Sequence, residues 1–211
     1  MDEGYIKFSL ELQPGPVPRL EEFPGLAGLR TALWDQGVVG IFPDGIGYGN
    51  VSALCGTGPE FVISGSSSGA NRILTPRRWS RVVAVFIEEN RLVCRGQSPA
   101  SSESMSHAAV YQGQPEVRCV AHIHSLPLFR GLLASGVPAT PPAAAFGTPE
   151  MALAVRELVA RSGKAEGVVV MSGHEEGILL YAREPGRILV LLEACRRNCG
   201  LAPPVQPFPH L

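Results

Sequence analysis

Apolar and polar residues alternate along positions 5–12, where Ile6, Phe8, Leu10 and Leu12 fall on one side of an extended chain, so a half-buried strand is predicted there. The run Gln13-Pro14-Gly15-Pro16-Val17-Pro18 ends it, and the strand reads as a sheet edge without a chemical role. Over residues 20–36 the apolar spacing changes to three and four. Leu26, Leu29, Arg30, Leu33 and Trp34 share one face, with an early break at Pro24-Gly25 and a stop at Gly37, which predicts a helix packed on a sheet. A glycine-rich turn at 42–50 precedes short apolar strands at 51–55 and 61–64, and strands at 82–87 and 92–94 flank a hairpin turn.

The second half continues the alternation of elements. Ser101 or Ser102 is a suitable N-cap for a helix running through Tyr111, with Glu103 favoured in its first turn by the helix dipole. Pro115-Glu116 then opens a buried strand at 117–124, and an apolar helix at 126–135 is stopped by Gly136. After an extended loop at 138–142, Thr148 caps a helix whose inward stripe is Met151, Ala154, Val155, Leu158 and Val159, closed near Gly163. Strands at 168–171 and 178–181 and a final helix at 184–198, stopped by Gly200, complete the order. Helices alternating with hairpin-linked strands predict a three-layer α/β/α domain around a mixed, mostly antiparallel sheet. The expected division is an N-terminal strand and proline-rich linker at 1–18, one domain at 19–200 and a proline-rich tail at 201–211.

Composition narrows the class. The chain has 211 residues, 45% hydrophobic and 18% charged, enough for one well-packed globular core. Lys+Arg 18 against Asp+Glu 19 leaves no basic surplus, so neither nucleic acid nor an anionic membrane is an expected partner. No signal sequence opens the chain, and no apolar run approaches the roughly 18 to 20 residues of a spanning helix, so a cytoplasmic location is expected. Five cysteines without a secreted spacing read as free thiols in a reducing compartment. Cys195 and Cys199 share a helical face, and packing explains them better than a metal pair.

Chemistry concentrates at residues 101–125. On a strand, His122 and His124 project from one face while Ile123 points the other way, which makes them a chelating pair. Alone, such a pair is explained more readily by two structural histidines. A catalytic zinc takes three protein ligands and leaves one position open, and the candidate third ligand is His174, at the Ser172-Gly173 turn after a buried strand. His107 and Tyr111 share a helical face with Glu103 and read as packing or supporting groups. Lys7 and Lys164 are the only lysines and neither sits in a catalytic setting, which argues against Schiff-base chemistry. The glycine-rich turn and the Ser66-Ser67-Ser68-Gly69 loop would, by themselves, be a hairpin connection and a mobile loop.

Taken in order, Gly49-Asn50-Val51-Ser52, residues 63–69, Ser101-Ser102-Glu103 with His107, Tyr111 and Pro115, His122-Ile123-His124, Phe146-Gly147-Thr148 and Ser172-Gly173-His174 resemble the class II aldolase and adducin head-domain family, whose members resemble fuculose-1-phosphate aldolase. The resemblance implies a metal-dependent aldehyde-lyase acting on a sugar phosphate or related ketose through a metal-stabilised enediolate. Zinc, or manganese or iron(II), would sit on His122, His124 and His174, and Glu103 would act as general acid/base. It also implies that Asn50, Ser68, Gly69, Ser101 and Ser102 hold the substrate phosphate with neutral donors, and that the chain forms a homotetramer. A sugar-phosphate dehydratase or epimerase is the related alternative, and a non-catalytic adducin-like interaction module the unrelated one. Glu rather than Asp after the two serines resembles the aldolase and dehydratase branches. The chain departs from the family pattern in a short segment between His124 and Phe146, in having no clear counterpart of the tyrosine that fuculose-phosphate-type aldolases contribute near the neighbouring site, and in Glu175-Glu176 in place of a glycine after the third histidine.

Overall fold

The structure is a computed structural model that describes residues 6–202. Tyr5, at the start of the predicted first strand, and the proline-rich tail at 203–211 lie outside the described residues. The strands are β1 (Ser9–Pro14), β2 (Gly40–Ile41), β3 (Gly47–Tyr48), β4 (Asn50–Leu54), β5 (Phe61–Ser64), β6 (Trp79–Phe86), β7 (Arg91–Gly96), β8 (Cys119–His124), β9 (Gly167–Val170) and β10 (Gly177–Ala182). Eight of them form the main sheet, in the order β1-β7-β6-β5-β4-β8-β10-β9. Every pairing in it is antiparallel except β1 with β7, so the sheet is mixed and mostly antiparallel, as the sequence predicts.

The alternation of strand side chains builds one core on each face. Cys119, Ala121 and Ile123 of β8 join a cluster with α1 (Leu26–Asp35), α3 (Leu126–Ala134) and α5 (Pro185–Asn198). Val120, on the opposite face, joins a cluster with α2 (Ser104–Gly113) and α4 (Pro149–Ser162). Helices cover both faces, which is the three-layer α/β/α arrangement. Residues such as Leu26, Leu33, Ile63, Leu92 and Ile123 are fully buried. Each contributes on the order of 1.5–3 kcal/mol by leaving water. The helix ends follow their local signals: the Thr148 side chain accepts a hydrogen bond from the Met151 N–H, and Gly163 closes α4 in the left-handed region.

Three expectations need correction. The first strand runs over Ser9–Pro14 rather than 5–12, and it leaves Leu12 41% exposed because its parallel partner β7 is the sheet edge it extends. The inward stripe of α4 includes Ala152, whereas Ala154 and Leu158 are only half-buried; the glycine-rich turn is the hairpin connection of a small ribbon in which β2 pairs with β3. Neither Ser101 nor Ser102 is the N-cap of α2. That position belongs to Glu103, because the Ser101 carbonyl already accepts from both the N–H and the hydroxyl of Ser104 in a turn that delays the helix.

Candidate metal centre

β8 lies in the middle of the sheet, between β4 and β10, and all six of its residues are buried. Strand alternation puts His122 and His124 on the α2/α4 side, where their rings stand 4.7 Å apart between centroids. His174 comes from the turn joining β9 to β10 and stacks on His122 with ring centroids 5.1 Å apart. The His122 Nε2 atom is 2.9 Å from His124 Nε2 and 3.2 Å from His174 Nε2.

These contacts suit a metal better than a hydrogen-bond chain. A neutral imidazole nitrogen carries either one proton or one lone pair, so His122 Nε2 can satisfy only one of its two neighbours by hydrogen bonding. Three lone pairs directed at one ion satisfy all three nitrogens. For bonds of about 2.0–2.1 Å in a tetrahedron the nitrogens should stand about 3.3 Å apart, against 3.2 Å for His122 with His174 and 2.9 Å for His122 with His124. The three side chains form a group able to hold a metal ion. Burial keeps them neutral and so available as donors. Burial first, then the neighbouring imidazoles, holds His122 well below the usual histidine range, and burial followed by His174 does the same to His124. His174 is lowered to about 4, again mainly by burial, with the positive charge of Lys7 adding to the effect.

Behind these rings, His107 is completely buried. Its Nδ1 is 2.7 Å from the Ser52 hydroxyl, which is also 2.7 Å from the Tyr111 hydroxyl. Burial lowers the His107 pKa to about 3, so this imidazole is neutral as well. It is not part of the metal group.

One cavity is walled by Asn50, Ser68, Gly69, Ser101, Ser102, Glu103 and the three histidines. Thus every candidate residue from the sequence meets in one place. Asn50 on β4 pairs with His122 across the ladder. Glu103 is 2% exposed, and its Oε2 accepts a hydrogen bond from the Ser106 hydroxyl at 2.8 Å. The serine loop is held from beneath by α1: Arg30 donates to the Ser68 carbonyl at 3.1 Å and Trp34 to the Gly69 carbonyl at 3.0 Å. Gly69 leaves no room for a side chain, since a Cβ there would sit 2.0 Å from the Gly40 carbonyl oxygen.

Gly177 is equally constrained, because a Cβ would meet His174 Cδ2 at 2.6 Å and His122 Cε1 at 3.1 Å. Gly177→Ala should therefore displace two of the three rings and lower the affinity for any divalent metal held there by about tenfold to a hundredfold, the usual cost of disturbing groups that orient ligands. Competition against a chromogenic chelator would measure it, and an unchanged affinity would mean that the rings give way freely.

Sequence reasoning did not single out several residues of this cavity as site residues. Phe146 packs on His174 with ring centroids 4.5 Å apart, and Tyr48 on His124 at 5.6 Å. Phe146 had a visible signal in its Phe-Gly-Thr motif, and Tyr48 in the glycine-rich turn. Lys7, which does not itself line the cavity, had none: it places its Nζ 3.6 Å from the centre of the Phe146 ring, across more than a hundred residues of chain. Glu175 is exposed, as expected for an acid facing solvent. Glu176 is half-buried, has a φ of 67°, and reinforces the effect of burial in raising the Tyr48 pKa.

The family profile for the class II aldolase and adducin N-terminal domain matches residues 43–202. No curated protein sequence matches the chain. Among solved structures, an L-fuculose-1-phosphate aldolase from Thermus thermophilus is similar at 21% identity and TM-score 0.56, covering 86% of this chain and 90% of that one. Another L-fuculose 1-phosphate aldolase is similar at 19% identity and TM-score 0.58, covering 90% and 92%. A sugar-phosphate aldolase from Thermotoga maritima is similar at 12% identity and TM-score 0.59, covering 84% and 93%. At these identities the likeness is one of fold. Among the described residues no helix is long and apolar enough to cross a membrane.

Proposed function

Because the chain belongs to the class II aldolase and adducin N-terminal domain family, we propose that it is a divalent-metal-dependent lyase that cleaves a carbon–carbon bond of a sugar phosphate. The observation that supports this reading is the meeting, in one cavity, of three neutral imidazoles, a buried carboxylate and a loop of small polar residues. His122, His124 and His174 would hold the ion, and their nitrogen donors suit zinc, with manganese or iron(II) as alternatives. Bound there, it would supply Lewis-acid stabilisation of negative charge developing on substrate oxygen.

The remaining roles belong to the chain's own groups. Asn50, Ser68, Ser101 and Ser102, with the backbone of Gly69, would grip the phosphate, since hydrogen bonds to an ionised acceptor are about twice as strong as neutral ones. That grip orients the carbon chain between the histidines and Glu103. Cleavage requires a proton to leave the hydroxyl that becomes the aldehyde and another to reach the carbon that keeps the bonding electrons. Glu103, steadied by Ser106, would serve both transfers, its carboxylate taking the hydroxyl proton and its acid form then giving a proton to carbon, so that it ends as it began. Phe146 and Tyr48 flank the histidines and limit the access of water. By family resemblance the working form would be a homotetramer, and five cysteines without a secreted spacing would place it in the cytoplasm.

The test is a panel of ketose 1-phosphates incubated with zinc-loaded protein, with aldehyde release followed by a coupled reductase. Release that stops on chelation and returns with zinc is expected. A zinc-loaded protein that releases no carbonyl fragment from any member would remove the lyase assignment.

A further inference from the structure

The serine loop is built entirely of neutral groups, yet a full positive charge lies directly beneath it. Arg30 on α1 is 2% exposed, and its guanidinium donates to the carbonyls of Ser68 at 3.1 Å and Arg72 at 2.9 Å. Both bonds end on backbone carbonyls rather than on a carboxylate. Asp35, on the same helix, is engaged in a two-pronged pair with Arg72 at 2.6 and 2.7 Å. Burial lowers the Arg30 pKa to about 10, so the group is charged at neutral pH. A buried cation whose hydrogen bonds, among the described residues, end on backbone dipoles is stabilised further when an opposite charge comes near. Arg30 does not line the cavity, but Ser68, the residue whose carbonyl it holds, does.

The peptide geometry gives this contact a direction. In a trans peptide the C=O and the following N–H point opposite ways. With the Ser68 carbonyl drawn down to Arg30, the Gly69 N–H is turned away from α1. With the Gly69 carbonyl held by Trp34, the Ala70 N–H is turned away as well. Positive peptide ends thus face away from the guanidinium, and its charge reinforces them from behind.

We propose that Arg30 is the buried counter-charge of the serine loop, a positioning residue that makes this site prefer a doubly charged phosphate monoester over a singly charged anion of the same shape. The inference rests on reading the loop as an anion cradle. It assigns a role to a residue that precedes the stretch matched by the family profile.

Two probes of equal shape and unequal charge separate this role from simple support of the loop: methyl phosphate as the dianion and methyl sulfate as the monoanion, titrated calorimetrically at pH 8 into the full chain with and without zinc. The unmodified protein should bind methyl phosphate roughly tenfold or more tightly than methyl sulfate, as one extra charge near a buried cation implies. Arg30→Gln should remove most of that preference, and Arg30→Lys should keep it. Equal losses for both probes in Arg30→Gln would make Arg30 a prop for the loop and overturn the inference alone. Binding of neither probe by the unmodified protein would overturn the anion-cradle reading and the inference together. Should Arg30→Gln fail to fold, the Arg30 side-chain N–H resonances of the unmodified chain serve instead. They should move on adding methyl phosphate and much less on adding methyl sulfate, and unmoved resonances would overturn the inference.

Discussion

A chain carrying His122→Ala and His124→Ala should retain no zinc after dialysis, whereas the unmodified chain should retain about one ion, as a three-histidine site requires. This is the largest effect expected from any substitution in the protein. His122 is the hub of the site, since its Nε2 lies within 3.2 Å of the Nε2 atoms of both other histidines. Removing it with its strand neighbour leaves His174 as a single imidazole, and one imidazole does not hold a divalent ion against dilution. The readout is metal content by plasma mass spectrometry, with melting temperature recorded beside it. Zinc at a hundredfold excess over its dissociation constant should stabilise the unmodified chain by about 2.7 kcal/mol and leave the double variant unmoved. Metal retained by the variant at one ion per chain would place the site elsewhere.

The second large effect is on turnover. Glu103→Gln preserves the size of the side chain and leaves an amide oxygen to accept from the Ser106 hydroxyl, so fold and metal content should survive. What is lost is the ability to move a proton. With a general acid/base group removed, the turnover number should fall by about a hundredfold to ten-thousandfold at unchanged zinc stoichiometry. Full activity in the glutamine variant would reduce Glu103 to the residue at the helix N-cap position, where it makes no side-chain capping bond in any case. Loss of zinc along with activity would instead identify Glu103 as a fourth ligand.

Much of the architecture was legible because its causes are local. Thr148 and Gly163 bound α4 through contacts spanning three residues, and the sequence announces both ends. The pairing of His122 with His124 follows from strand periodicity alone. The start of α2 was misread for an equally local reason, since serines favour helix caps in general but here serve the turn before the cap, which Glu103 occupies. The first strand was legible as a sheet edge, but not its parallel pairing with β7 or the placement of Lys7 over Phe146. Those contacts join segments far apart in the chain, and no periodicity reports on them.

The sequence by itself therefore determined most of the elements, their order and the candidates for metal and proton chemistry, because alternation, capping and turn preference act over two to four residues. Only the tertiary structure decided that His174, 52 residues beyond His122, reaches the same point, and that Glu103 and the serine loop share its cavity. It also placed the positive charge of Arg30 beneath that loop, 38 residues away in the chain. Convergence of this kind depends on how the sheet orders its strands and how the helices close on its faces, and it is set by packing across the whole core rather than by any neighbouring residue.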